Sequence, residues 1–242
     1  MSKINTIAID FGHNVNFDIG AVGIRKEDEL NKLVGETLIE KFRGAGINVV
    51  NCTPSNATSL YDSLNQRCIV ANNSNADFFI SIHHNAGGGE GAEVLCYDSG
   101  IAEEVGNIIL SQLANIGIKD RGVKIRRDLF IINRTRMKAI LVECAFVDSE
   151  LDMSNYDYNK VSGAIFQGVC NKFGIGVNSD GIDNINTNSN GSEIGEVYHT
   201  VVNGESLSRM SNRYDVSMQR LVDMNDIKDK NLIFVGQKIR IK

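Results

Sequence analysis

The sequence predicts an α/β protein with a largely parallel sheet flanked by helices, followed by a small βααβ unit. Three observations carry this. Over roughly the first 175 residues, short β-branched apolar runs alternate with segments of helical period, and such alternation implies strands laid parallel with helices between them. Residues 176–196 are then dominated by Gly, Ser, Asn and Asp, with four acidic and no basic side chains, too polar to order around a core. After that stretch the pattern changes to strand, helix, helix, strand within 46 residues.

The runs at 6–10, 47–52, 78–83, 93–97, 129–133 and 140–147 are expected strands. Leu30, Leu33, Val34, Leu38 and Phe42 fall on one helical stripe that Gly44 and Gly46 close. Further helices are expected at 60–71, 102–116 and 161–173. In the tail, strands at 198–202 and 237–241 enclose short amphipathic helices at 206–214 and 217–224. So small a unit holds together only if its few apolar residues pack densely. The 176–196 stretch is expected to be a flexible linker.

Composition narrows the function. With 42% apolar and 23% charged residues in 242, the chain has material for one substantial core and a second small one. Residues 1–5 run straight into the first strand, too short for a signal-peptide core, and no segment approaches a membrane span. The expectation is a soluble chain that accumulates in the cytoplasm without Sec export. Five cysteines without CxxC spacing read as reduced, mostly buried thiols. Residues 197–242 carry eight basic against five acidic side chains, a surplus of +3 within a total of −5. A basic tail on an acidic body fits a tail that meets a polyanionic surface. No arginine-rich or aromatic nucleic-acid surface is visible.

Four residues stand out as chemistry. His13 follows the first strand across Gly12, and His83 ends the third; both belong at the carboxyl ends of parallel strands, where open α/β sheets build their sites. Glu27 opens the first long helix, and Glu143 interrupts the apolar run Ile140-Leu141-Val142 before Cys144-Ala145-Phe146. A carboxylate in a strand buried on both faces is costly unless a metal, its water or a cation is near. Singly, each has a plainer reading: a turn histidine, a carboxylate complementing the helix dipole, a glutamate paired with arginine. Together, two imidazoles and a carboxylate suit a catalytic zinc with an open fourth position, and a second carboxylate suits the base it needs.

The ordered segments Asp10-Phe11-Gly12-His13, Asp18-Ile19-Gly20-Ala21-Val22-Gly23, Glu27 with Leu30-Asn31, Ser63-Leu64 with Arg67 and Ala71-Asn72, Ser81-Ile82-His83-His84-Asn85-Ala86 and Leu141-Val142-Glu143-Cys144-Ala145-Phe146 resemble the zinc-dependent N-acetylmuramoyl-L-alanine amidases of the amidase-3 family. The resemblance spans 6–173 and implies a catalytic domain over 1–175, with Zn2+ held by His13, Glu27 and His83, Glu143 in catalysis and Asn85 at the substrate. The chain departs from the family's usual pattern in a longer spacing from His13 to Asp18, in Phe11 and Ile19 where prolines are common, in Ala145 for a glycine, and in His84 where a small residue is usual. Successive strand residues point to opposite faces, so only one of His83 and His84 can meet the metal; motif position assigns His83.

Residues 198–242 resemble a LysM module, through Tyr198-His199-Thr200-Val201, Gly204-Glu205-Ser206-Leu207, Tyr214-Asp215-Val216-Ser217, Leu221 with Asn225, and Asn231-Leu232-Ile233 before Val235-Gly236-Gln237-Lys238-Ile239. That resemblance implies a wall-binding domain over 197–242. Its partner is N-acetylglucosamine-containing glycan, held by Gly204, Ser206, Leu207, Asn231 and Ile233, and His199 is expected to be a surface strand residue, not a ligand. The combined expectation is peptidoglycan hydrolysis at the amide between N-acetylmuramic acid and the first L-alanine of the stem peptide. The enzyme would be a phage endolysin released by a holin, or a lytic or sporulation autolysin. A zinc peptidase acting within the stem peptide and a non-catalytic wall-binding protein are the competing readings.

Overall fold

In the computed structural model, six strands form one sheet: β1 (Thr6–Phe11), β2 (Asn48–Asn51), β3 (Phe78–Asn85), β4 (Ala92–Cys96), β5 (Asp120–Ile125) and β6 (Lys138–Phe146), in the order β2-β1-β3-β6-β4-β5. Residues 4–176 are described, with 198–201, 206–214, 216–225, 227–230, 232–234 and 236–241 of the tail, so the expected linker lies outside the described residues except for its first. The pairs β1/β2, β1/β3, β3/β6 and β4/β5 run parallel; β4 meets β6 antiparallel.

Period-two alternation sorts the sheet's side chains between two layers. Ile7, Ile9, Phe11, Ile80, Ile82, Val94, Ile140 and Val142 pack with α1 (Glu27–Gly44), α3 (Ile101–Asn115) and α6 (Tyr158–Phe173) in the main core. Ala8, Phe79, Leu95 and Leu141 face the other way, toward Cys68 and Ala71 of α2 (Leu60–Asn73) and Ile131 and Ile132 of α4 (Phe130–Arg134). The stripe expected on α1 is that helix's buried face, with Leu30, Val34, Leu38 and Phe42 fully buried. A short helix, α5 (Glu150–Met153), sits between β6 and α6.

Two expectations need correction. Residues 129–133 are not a strand: the run folds as α4, because four consecutive apolar residues are too few to carry a period and Ile131 and Ile132 bury equally well from one helical turn. The strand at that edge is β5, whose sequence Asp-Arg-Gly-Val-Lys-Ile hides it. Gly122, at φ +84°, sits where the β4/β5 register shifts between Ala92 and Val94, and that irregularity breaks the alternation.

The tail is a separate compact unit by its contacts, which divide the chain into Met1–Asp183 and Asn184–Lys242. Its strands β7 (Tyr198–Thr200) and β8 (Lys238–Arg240) pair antiparallel, and α7 (Leu207–Tyr214) and α8 (Met218–Met224) lie between them in sequence. Val201, Leu207, Met210, Leu221 and Ile239 form its buried core, with Tyr214, Val222 and Ile233 packed against it. Among the described residues, no helix is long and apolar enough to cross a membrane.

Candidate metal centre

The chain leaves β1 for α1 and β2 on one side, then returns through α2 to β3 on the other. The carboxyl ends of β1 and β3 are therefore a topological switch point, where such sheets leave a crevice. His13 lies two residues beyond β1 and His83 near the end of β3. Glu27 is the first residue of α1, arriving over the same edge. His13 Nε2 is 3.3 Å and His83 Nδ1 3.1 Å from the same Glu27 oxygen, Oε1. All three donor atoms lie within 4.8 Å of one another, the one such cluster of three or more possible ligands among the described residues.

The backbone is built around these rings. Gly12 is required because a Cβ there would sit 2.1 Å from His83 Nε2. His13 and Asn14 both adopt left-handed φ, 60° and 64°, a conformation that Asn visits readily and that His needs its surroundings to fix. Arg67, 1% exposed on α2, supplies the grip. Its guanidinium donates to Asp10 Oδ2 at 2.6 Å, to the Phe11 carbonyl at 2.7 Å and to the His13 carbonyl, with Asp18 Oδ2 at 3.5 Å. Asp18 accepts from His13 Nδ1 at 2.7 Å and from Ser63 at 2.6 Å. A carboxylate on the far nitrogen fixes the tautomer that leaves Nε2 free to ligate.

Glu27 is held from all sides. Oε2 accepts from the Ala21 amide at 2.9 Å, and Oε1 from Asn31 at 3.4 Å and the His84 amide at 3.3 Å. Burial works to raise its pKa, but hydrogen bonds and charge from His13 and His83 outweigh burial and hold it far below the usual carboxylate range. Burial likewise works to lower His13, and Asp18 and Glu27 overcome it, raising the metal-free imidazole to about 10. In the metal-free chain the cluster thus keeps a proton on His13 against a negative Glu27, which is how a cation site behaves before its cation arrives.

Glu143 stands beside His83 in the β3/β6 register and beside Glu93 in the β4/β6 register. Burial raises its pKa above the usual carboxylate value. Its Oε2 is buried without a hydrogen-bond partner. The arginine alternative fails locally, since Arg121 is committed to Glu93 at 3.0 Å, as is Lys124. His84 points to the opposite face, where its ring meets Asn31 and Tyr156, and burial drives its pKa down to about 3. Asn85 turns its side-chain oxygen to the Ala86 amide at 2.8 Å, within a local turn.

In the tail, Ser206 is exposed, Leu207 is fully buried and Ile233 half-buried, so Leu207 offers a ligand only its backbone. Gly204 and Asn231 lie outside the described residues. His199 Nδ1 is 2.7 Å from the Tyr214 hydroxyl.

The profile of the Amidase_3 family, described as N-acetylmuramoyl-L-alanine amidase, matches residues 7–172. The chain belongs to this family. The LysM domain profile matches residues 199–242, so the tail is a LysM domain. The amidase region is 33% identical over 160 residues to a protein of Clostridium perfringens (strain 13 / Type A), covering 62% of this chain and 46% of that one. It is 30% identical over 168 residues to the sporulation-specific N-acetylmuramoyl-L-alanine amidase of Bacillus subtilis (strain 168), covering 68% and 65%. The chain therefore spans between about half and two thirds of the length of these relatives. The catalytic domain of the CD27L endolysin targeting Clostridia difficile superposes with a TM-score of 0.63 at 27% identity, covering 69% of this chain and 97% of that one. The amidase fold is thus the mostly parallel, helix-flanked sheet described above.

Sequence reasoning named the four chemical residues but assigned no role to their supports. Asp18, Ser63, Asn31 and Arg67 lie inside the motifs that carry the family resemblance; the signal for Arg67 is an arginine on the face of a helix that also buries Ser63, Cys68 and Ala71. Tyr156 gave no signal, standing in a polar turn between α5 and α6.

Proposed function

We propose that this chain is a zinc-dependent peptidoglycan hydrolase that cleaves the amide between N-acetylmuramic acid and L-alanine. One observation carries the reading: two imidazole nitrogens and a carboxylate oxygen within 4.8 Å of one another, with Glu143, whose buried Oε2 has no partner, on the neighbouring strand. The donor set fits zinc, which takes His2Glu with a fourth position open for chemistry. His13 Nε2, Glu27 Oε1 and His83 Nδ1 would hold it. When bound, zinc supplies a Lewis acid that polarises the scissile carbonyl and brings the pKa of water toward about 7.

Glu143 does the proton work. Its carboxylate accepts a proton from the attacking water as the new C–O bond forms, then delivers it to the alanine nitrogen as the C–N bond breaks. A pKa raised by burial suits both halves, because the proton must be taken and given back near neutral pH. Asp18 and Arg67 orient His13 and its loop. Asn85 borders the cleft at the end of β3 as a substrate contact.

The LysM domain binds N-acetylglucosamine-containing glycan, through Gly204, Ser206, the Leu207 backbone, Asn231 and Ile233, and keeps the catalytic domain on the wall. The similarity to an endolysin domain and to a sporulation amidase supports a lytic role in one of those two settings.

Mass spectrometry of digested peptidoglycan tests the reading. Free lactyl carboxyls on muramic acid with new N-terminal alanine are expected. New termini at any other stem-peptide residue would make the chain a peptidase, and an unchanged wall a binding protein.

A further inference from the structure

His84 occupies a buried position beside a proposed ligand, on the opposite sheet face, and nothing in the proposed chemistry uses it. The residue is 2% exposed, and its ring packs edge-on against Tyr156, centroids 5.3 Å apart. Nδ1 is 2.7 Å from Asn31 Oδ1, and Nε2 meets the Tyr156 hydroxyl. The direction of this chain follows from one fixed acceptor. Asn31 Nδ2 lies 3.0 Å from the Gly12 carbonyl, which only accepts, so the nitrogen must face Gly12 and Oδ1 must face His84. His84 Nδ1 is therefore the protonated nitrogen and donates. A buried imidazole whose nitrogens meet only an amide and a phenol stays neutral, so Nε2 accepts from Tyr156.

Downstream, the same Asn31 amide also donates to Glu27 Oε1 at 3.4 Å, and the His84 backbone amide donates to that oxygen at 3.3 Å. Three segments that carry the proposed ligands thereby converge on one polar chain: Gly12 before His13, Glu27 itself, and His84 after His83. We propose that His84, backed by Tyr156, is a positioning residue that locks the Asn31 amide and so fixes Glu27 and the His13 turn in ligating geometry before metal arrives. It touches neither metal nor substrate. The inference rests on the metal reading above. Outer-shell hydrogen bonds of this kind are worth about 10–100-fold in metal affinity.

The test uses the full chain, with Zn2+ affinity from chelator competition, the visible spectrum of the Co2+ form, and metal-free melting. His84→Leu leaves Asn31 Oδ1 without its donor. It is expected to weaken Zn2+ about 10–100-fold and change the Co2+ spectrum. His84→Asn presents an amide N–H close to where Nδ1 stood and should return most of the affinity. Tyr156→Phe keeps volume and fold while removing the donor to Nε2, and a several-fold weakening is expected. If His84→Leu lowers only the melting temperature, with zinc affinity and Co2+ spectrum at wild-type values, the positioning role is overturned. Should that variant not fold, unchanged zinc affinity in Tyr156→Phe overturns it equally. A wild-type chain that binds no zinc overturns the metal reading itself, whereas tight wild-type binding with indifferent variants overturns this inference alone.

Discussion

His83 and Glu143 stand side by side on the parallel strands β3 and β6, one turned to Glu27 at 3.1 Å and the other with a buried oxygen that has no partner. Sheet register sets this pair, and their division of labour follows from what each lacks. His83 already has a carboxylate to share with His13, while Glu143 has a neighbouring ring but no cation of its own.

Glu143→Gln should accordingly keep zinc and lose about two to four decades of turnover, the share of a positioned acid/base. Its effect on the metal-free fold has a defined sign. Burial raises the folded pKa of Glu143 above 4.5, so the carboxyl's contribution is fully present below 4.5 and is lost as pH rises through the raised value. The glutamine variant should therefore melt no lower than wild type at pH 7, and the two should converge below pH 4.5. Thermal melts of chelated protein at both pH values check this; a variant that melts lower at pH 7 would contradict it.

Arg67 supports a buried cluster of acceptors, and its removal leaves the fully buried Asp10 without its cation, whereas Asp18 keeps His13 and Ser63. Arg67→Ala should cost about 3–5 kcal/mol, the range for breaking a buried ion pair from one side. Urea unfolding of metal-free protein measures it. Arg67→Lys should restore only part, because one ammonium cannot reach Asp10 together with the Phe11 and His13 carbonyls. Both variants should bind zinc more weakly, since the left-handed turn at His13 loses its clamp.

Much of this was legible in the sequence, for stated reasons. β1, β3 and β6 are buried on both faces, so they appear as apolar runs that a lone His or Glu interrupts visibly. Opposite faces for His83 and His84 followed from strand periodicity alone. What Arg67 and Tyr156 do was not legible, because they act across long separations: Arg67 reaches Asp10 over 57 residues and Tyr156 reaches His84 over 72. The register shift and charges of edge strand β5 hide it from the sequence, and the apolar run of α4 resembles a strand because β-branched residues fit a single buried helical turn equally well.

The five cysteines should be inert in the folded chain. All are free and buried, and burial pushes Cys52 and Cys170 up to about 12 and Cys68 to about 11, with Cys96 and Cys144 also raised. Only thiolate reacts with disulfide reagents, so at pH 8 native protein should titrate none of them and unfolded protein all five. These thiols contribute stability that is full below the unfolded value near 9 and lost as pH rises toward the folded values. The melting temperature should accordingly fall between about pH 9 and 12, and less steeply in a Cys52→Ala variant.

The basic tail, the polar segment before it and the LysM match lead to a prediction about the whole chain. A flexible-coil linker of roughly 21 residues, which the composition of 176–196 leads one to expect, has an end-to-end distance of about 25 Å by square-root scaling. Once the LysM domain holds glycan, the cleft is confined near many scissile bonds at an effective concentration in the millimolar range. A chain ending at Gly176 should keep its zinc and its hydrolysis of soluble muropeptides, yet lose activity on intact walls, most visibly when dilute. Residues 197–242 alone should sediment with purified walls and be released by N-acetylglucosamine oligomers. Binding through the surplus of +3 alone behaves otherwise. Exposed charges are screened within about a nanometre at physiological ionic strength, so moderate salt would then abolish sedimentation and the oligomers would do nothing. Salt-sensitive, oligomer-insensitive binding would leave the tail a LysM fold that adheres by charge, and the catalytic domain would have to find its substrate unaided.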